Sequence, residues 1–235
     1  MPTPTEPRAA EPRPGEPGPT ERRVALGVSR RWPVISALGA VGLALLIGWL
    51  VTVRSTADLL DAEWMEEIVE HRSPIWQGPA LVMNFIGGGW FGVFAVPIGI
   101  VVWLLITRHR AGALYFVMAT ILSAGVVQAL KHTFGRARPA DILVTSDFGS
   151  FPSGHVANAA TMAVALGVIF GMRRVWIGGA VYAVVMLVSR TYLGAHWLTD
   201  TVGGLLVGGG VAVVLWAPFA LRLLRERRRS ASAGA

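Results

Sequence analysis

Six apolar runs, each about as long as a bilayer core is thick, decide most of what this chain can fold into. They cover residues 34–53, 88–106, 111–131, 154–172, 174–192 and 197–221. A hydrocarbon core of about 30 Å is crossed by about 20 residues of helix at about 1.5 Å each. No water reaches backbone N–H and C=O groups there, so each run has to close its own hydrogen bonds as a helix. The expected fold is therefore all-α, an integral membrane bundle of six transmembrane helices. Composition agrees: 53% of the 235 residues are hydrophobic and 15% charged, against roughly 45–50% and about 25% in soluble domains.

The charges that remain are unevenly spread. Arg22, Arg23, Arg30 and Arg31 precede the first run, Arg108 and Arg110 separate the second from the third, and Arg173 and Arg174 the fourth from the fifth. Arg222, Arg225, Arg227, Arg228 and Arg229 follow the sixth. With six spans these fall on one side, which the positive-inside bias makes the cytoplasm, with both termini there. The same bias accounts for the net charge of +7 without a nucleic-acid partner. No cysteine is present, so disulfides and thiolate metal sites are excluded.

Outside the spans, residues 1 to about 28 are rich in Pro, Glu, Arg and Gly, and are expected to form a disordered cytoplasmic tail reaching the first span. The membrane domain then covers 34–221, and 222–235 form a basic cytoplasmic C-terminal tail. Residues 54–87, acidic at their start, predict one or two short helices lying along the membrane surface. The run Gly87, Gly88, Gly89 lets the chain turn into the membrane.

Polar residues at the span ends break this pattern, and they all fall on the outer side. Lys131, Arg136 and Arg138 sit in an outward loop where basic residues are sparse. Ser153, Gly154 and His155 open the fourth span, Ser189 and Arg190 end the fifth, and His196 and Asp200 open the sixth. Spans three and five run outward while four and six run inward, so these groups can share one pocket. Lys131, Arg138 and Arg190 there form a cationic cluster, with Asp141, Asp147 and Asp200 as local acids. The start of span four adds free N–H groups and the positive end of a helix dipole, suited to phosphate. Ser153 is a candidate N-cap, and Gly154 allows close backbone approach.

The histidines add reactivity to this anion cradle. His196 and Asp200 are four apart at a helix start and so lie on one face. A carboxylate accepting from one ring nitrogen holds the other free as a nucleophile. His155 can donate a proton to a departing oxygen, and the cations can stabilise charge on transferring phosphoryl oxygens. His155, His196 and Asp200 also suit zinc by type, but three neighbouring cations oppose a divalent ion; no cofactor is expected.

The spacing of these residues resembles the type 2 phosphatidic acid phosphatase family, related to vanadium haloperoxidases. That family's pattern is a Lys, six residues, Arg-Pro; then Pro-Ser-Gly-His; then Ser-Arg, five residues, His, three residues, Asp. Lys131 to Arg138-Pro139, Pro152-Ser153-Gly154-His155, and Ser189-Arg190 to His196 and Asp200 match it at every position. The resemblance covers about 85–215. It implies a metal-independent membrane phosphatase with His196 as nucleophile, Asp200 orienting it and His155 as leaving-group acid. It implies phosphate binding by Lys131, Arg138, Arg190, Ser153 and Gly154. Arg136 is not a motif position.

The implied substrate is a lipid phosphate or diphosphate presented at the outer leaflet. An isoprenoid diphosphate such as undecaprenyl diphosphate comes first, then phosphatidic acid or phosphatidylglycerol phosphate. A non-catalytic transporter or flippase would need the cations but not the histidines. His71, His109 and His132 are expected to stand outside the site. Trp64, Trp76, Trp90 and Trp197 are expected as interface anchors, and the span-six residues Gly203, Gly204, Gly208, Gly209 and Gly210 as close-packing positions.

Overall fold

The computed structural model describes the backbone of Pro19–Val53 and of residues 56–233, with side chains at 31–53 and 59–229. Among the described residues, eight α-helices follow in order: α1 (Pro19–Val53), α2 (Thr56–Glu70), α3 (Pro74–Gly87), α4 (Val96–Ile106), α5 (Arg110–Phe134), α6 (Gly154–Phe170), α7 (Arg173–Tyr192) and α8 (Leu198–Ala233). A π-helical turn, Phe91–Ala95, leads into α4. No strand occurs among the described residues.

The six expected spans map onto this order. Residues Arg31–Val53, Arg110–Phe134, Arg173–Tyr192 and Leu198–Arg229 are each long and apolar enough to cross a membrane. α3 and the Phe91–Ile106 segment, bent by 53° at the glycine run, are together long and apolar enough to cross as one broken span. α6 is shorter, 17 residues or about 26 Å. It lies at the centre, packed by α5, α7 and α8, and buries most of its length, from Val156 to Ile169. A helix enclosed by protein does not have to match the lipid thickness on its own.

Small residues let these helices close up. A methyl at Gly208 would collide with the Ala157 backbone of α6, and one at Gly204 would stand 2.6 Å from the Ser153 carbonyl. Gly210 faces Val41 and Ala37 of α1 in the same way, and Gly203 faces Phe151. Gly209 differs: the nearest atom to an added methyl is Val164, at 3.8 Å, so close packing does not explain it. Away from the site end, Tyr115 and Phe116 of α5, Ile169 of α6, and Phe219 and Leu223 of α8 form the main apolar core.

Two expectations about the segments before and between the spans need correction. The backbone of 19–33, expected within a disordered tail, is helical and continuous with the first span; Glu, Ala, Leu and Arg over 21–31 are good helix formers. Residues 1–18 lie outside the described residues. α2 and α3 are the two expected short helices, but α3 packs against α7 and α6 as half of a span instead of lying on the surface. Tyr192 holds its start, with the phenol 2.9 Å from the Ser73 N–H and 2.6 Å from the Ser73 carbonyl.

The basic C-terminal segment continues α8 as helix to Ala233, and two of its side chains finish other helices. Glu226 accepts from the N–H groups of Ala111 (2.6 Å) and Gly112 (3.0 Å) at the start of α5. Arg227 donates to the Ile169 carbonyl (2.9 Å) and the Val168 carbonyl at the end of α6. Both fill backbone groups that a helix end leaves without partners.

Candidate active site

The C-termini of α5 and α7 meet the N-termini of α6 and α8 at one end of the bundle, as the alternating span directions require. A cavity of about 990 Å³ opens there. Its polar end is lined by Lys131, Arg138, Gly154, His155, Arg190 and His196. Its apolar arm runs between the α4 segment, through Phe94, Pro97 and Val101, and α5, through Val117, Ile121 and Ala124. From Lys131 to Val117 that arm follows α5 for about 20 Å at about 1.5 Å per residue.

His196 stands in the turn between α7 and α8, buried to 2% exposure. Arg138 Nη1 lies 3.2 Å from its Nε2. A guanidinium only donates, so Nε2 accepts and the ring proton sits on Nδ1. That nitrogen faces Asp200 Oδ2 at 3.6 Å, a charge contact longer than a hydrogen bond. Burial, with Arg138 and Arg190 nearby, pushes His196 down to about 4 despite the opposing pull of Asp200. The side chain is thus a neutral imidazole with its Nε2 lone pair turned toward the cationic end of the cavity.

Asp200 is fully buried and held on several sides. Oδ2 accepts from the Trp197 N–H at 2.9 Å and from the Ser150 hydroxyl, and Oδ1 receives Arg136 Nη1 at 2.7 Å. Its own carbonyl accepts the Ser153 N–H at 2.9 Å, which ties the start of α8 to the start of α6. Such donors satisfy a buried carboxylate and fix its direction.

The cations carry their own counter-charge. Asp147, from the loop between α5 and α6, sets both carboxylate oxygens 3.0 Å from Lys131 Nζ and Oδ1 2.8 Å from Arg138 Nη2. Burial works to raise Asp147, but the Lys131 hydrogen bond and the charges of Lys131 and Arg138 hold it below the usual carboxylate range. Of the other two acids in the sequence reading, Asp200 lies behind His196, and Asp141 stands outside the cavity with its carbonyl on Arg72 Nη2 at 2.9 Å.

Ser153 occupies the N-cap position of α6 with extended backbone, but its hydroxyl makes no capping bond. That hydroxyl is buried without a hydrogen-bond partner among the described residues. The expectation of an N-cap thus holds for the backbone and not for the side chain. Ser189 hydrogen-bonds the Met186 carbonyl at 2.8 Å and does not line the cavity. His71, His109 and His132 stand apart: beside Glu67 at 3.3 Å, against Phe170, and stacked on Phe148. Trp197 is tied into the protein, its indole N–H donating to the Ala137 carbonyl at 2.9 Å.

Three side chains at the site went unnoticed or unassigned in the sequence. Asn84 of α3 accepts from Arg190 Nη1 at 2.5 Å through its side chain, and from His155 Nε2 at 3.2 Å through its carbonyl. Nothing in the sequence marks Asn84, because only the bend of α3 into the bundle brings it there. Arg136 and Asp61 stand behind Asp200. Asp61 shares a helical face with Met65 and Ile68, so an acid on the apolar stripe of α2 was the available signal.

Residues 112–222 match the PAP2 superfamily. The chain is 34% identical over 126 residues to the putative undecaprenyl-diphosphatase YbjG of Escherichia coli, spanning 49% of this chain and 62% of that protein. It is 27% identical over 117 residues to the undecaprenyl-diphosphatase of Sulfolobus acidocaldarius, spanning 46% and 56%. The matched region thus covers less than two thirds of either relative. The fold is similar to the crystal structure of a transmembrane PAP2 type phosphatidylglycerolphosphate phosphatase from Bacillus subtilis. There the TM-score is 0.69 at 23% identity, over 76% of this chain and 93% of that one. The helical fold, the motif spacing and the match over residues 112–222 agree in likening this multi-pass membrane protein to the PAP2 superfamily.

Proposed function

We propose that the protein is an integral membrane phosphatase that removes phosphate from a lipid phosphate or diphosphate through a phosphohistidine on His196, without metal. The observation that carries this reading is the buried His196 ring, its Nε2 3.2 Å from Arg138 Nη1 in a pocket that also holds Lys131 and Arg190. Nε2 attacks phosphorus as the P–O bond to the lipid breaks, and the departing oxygen takes a proton from His155. Water then attacks the phosphohistidine, His155 takes the water proton, the N–P bond breaks, and inorganic phosphate leaves. Asp200 faces Nδ1–H throughout and stabilises the charge the ring acquires. Lys131, Arg138 and Arg190, with the Ser153 hydroxyl and the Gly154 N–H at the start of α6, hold the phosphoryl oxygens.

The substrate favoured is an isoprenoid diphosphate such as undecaprenyl diphosphate, with phosphatidic acid and phosphatidylglycerol phosphate next. Two relatives bear the undecaprenyl-diphosphatase name, and the apolar arm of the cavity suits a long single tail beside a charged head. The distribution of arginines supports cytoplasmic termini and an extracytoplasmic site.

Phosphate release from a panel of isoprenoid and glycerolipid phosphates, with detergent-purified wild type and His196→Ala, tests the reading. Turnover is expected to fall at least about a thousandfold in the variant, to survive EDTA and to be blocked by vanadate. Equal rates for the two proteins would leave a binding or transport role instead. Because the chain has no cysteine, single-cysteine labelling is clean. Leu143→Cys is expected to react with an impermeant reagent from outside, and Arg228→Cys only after permeabilisation.

A further inference from the structure

Behind Asp200 lies a second buried charge relay that the motif does not contain. Asp61 of α2 is fully buried. Its Oδ1 accepts the Thr199 N–H at 2.9 Å, and its Oδ2 accepts Arg136 Nη2 at 2.7 Å and the Thr199 hydroxyl at 2.5 Å. Arg136 Nη1 donates onward to the Thr199 hydroxyl at 2.8 Å and to Asp200 Oδ1 at 2.7 Å. The guanidinium also lies over the Trp197 ring, 5.5 Å from its centroid. Asp61 thus caps the start of α8 and, through one arginine fork, reaches the carboxylate that faces His196.

We propose that Asp61 and Arg136 are positioning residues for phosphoryl transfer: they fix the direction of Asp200 and keep it a full negative charge facing His196 Nδ1. The inference rests on the reading of His196 as the nucleophile. Its physical basis is a charge count. Arg136 alone against Asp200 would form a neutral pair, leaving little field at Nδ1. With Asp61 sharing the guanidinium, the buried trio of Asp61, Arg136 and Asp200 keeps one net negative charge on the side where the ring becomes cationic. On the cavity side Arg138 and Arg190 act on His196, so that charge is the counterweight to two guanidinium groups. The two-pronged geometry also requires arginine, since an ammonium cannot bridge two carboxylates in one plane. Asp61, on α2, lies outside the matched residues 112–222, whereas Arg136 lies within them.

The test compares wild type, Asp61→Asn, Arg136→Lys, Arg136→Gln and the double variant Asp61→Asn/Arg136→Gln as purified, monodisperse proteins on one lipid phosphate. Asp61→Asn and Arg136→Lys are expected to lower kcat by about tenfold to a hundredfold, the cost of small misplacement at a reacting centre, with KM within about twofold. Arg136→Gln removes a positive charge near His196 and is expected to move the acidic limb of kcat/KM to higher pH. The double variant, which deletes one charge of each sign, is expected to return that limb toward the wild-type position while kcat stays low. A packing defect alone would not produce this charge-dependent pattern. If Arg136→Gln does not fold, Asp61→Asn and Arg136→Lys decide the matter through their kcat against KM.

Wild-type kcat in Asp61→Asn, while His196→Ala is inactive, would overturn the proposal and leave the nucleophile intact. Residual wild-type turnover in His196→Ala would instead remove the reading on which it stands.

Discussion

Asp147 binds the two motif cations as a substrate phosphate would, with one carboxylate meeting Lys131 at 3.0 Å and Arg138 at 2.8 Å. Lys131 is buried to 2% exposure, while Asp147 remains 58% exposed on a loop. An exposed partner contributes little net energy, on the order of 0.2–1 kcal/mol. A dianionic phosphate can therefore take these donors at small cost. Asp147→Asn is expected to tighten inhibition by inorganic phosphate or vanadate by up to about fivefold, the factor equivalent to about 1 kcal/mol. Weaker inhibition in the variant would show that Asp147 assists the anion instead of competing with it.

The pH dependence follows from His196. Its depressed value of about 4 means that the neutral ring, the form that attacks in the proposed reaction, is present well below the usual histidine range near 6.5. The part of the kcat/KM profile governed by this group is expected to stay flat from neutral pH down to about 5 and to fall toward 4. The sign for stability follows from linkage. The unfolded chain binds the proton first, so folding loses stability as pH drops from about 6.5 through 4 and keeps its full value above that window. An acidic limb near 6.5 that moves in Asp200→Asn would contradict the buried neutral ring.

The α6–α8 contact supplies a packing test. Gly208→Ala places a methyl against the Ala157 backbone, which cannot yield as a flexible side chain would. Its expected cost is about 1–3 kcal/mol, read as a lowered midpoint of thermal unfolding in detergent. Gly209→Ala is expected to leave that midpoint nearly unchanged, because its added methyl meets Val164 at 3.8 Å, an ordinary contact. Equal effects at the two positions would argue against close approach of these helices.

Glu226 is far from the cavity and should separate stability from chemistry. Loss of its two bonds to the α5 N-terminus in Glu226→Ala is expected to cost about 1 kcal/mol. Turnover at permissive temperature should remain near wild type. Loss of kcat without loss of thermal stability would mean that the α5 start communicates with the site end.

Local sequence carried the spans well because apolar run length and flanking charge are local properties. The exceptions have local causes too. Pro74–Gly87 was assigned to the surface because its polar and apolar residues are mixed and the run is short; only packing on α7 makes it half of a bent span. Ser153 was expected to cap α6 by its residue type, whereas the start of α6 is held instead by its N–H bond to the Asp200 carbonyl. Of the three acids near the cations in sequence, the fold decides that Asp147 is the one paired with Lys131 and Arg138.

Eleven residues at fixed spacing were enough to bring out the family resemblance and to pick out Lys131, Arg138, His155, Arg190, His196 and Asp200 as candidates that share one pocket, since alternating helices must bring their like ends together. Spacing along one chain says nothing of partners that arrive from distant helices. Asn84 beside Arg190 and His155, and Asp61 behind Arg136 and Asp200, are separated from those groups by between 71 and 139 positions. Their placement came from side-chain packing between α2 or α3 and the bundle, where a buried charge has to find an opposite charge and the folded chain alone decides which one is near.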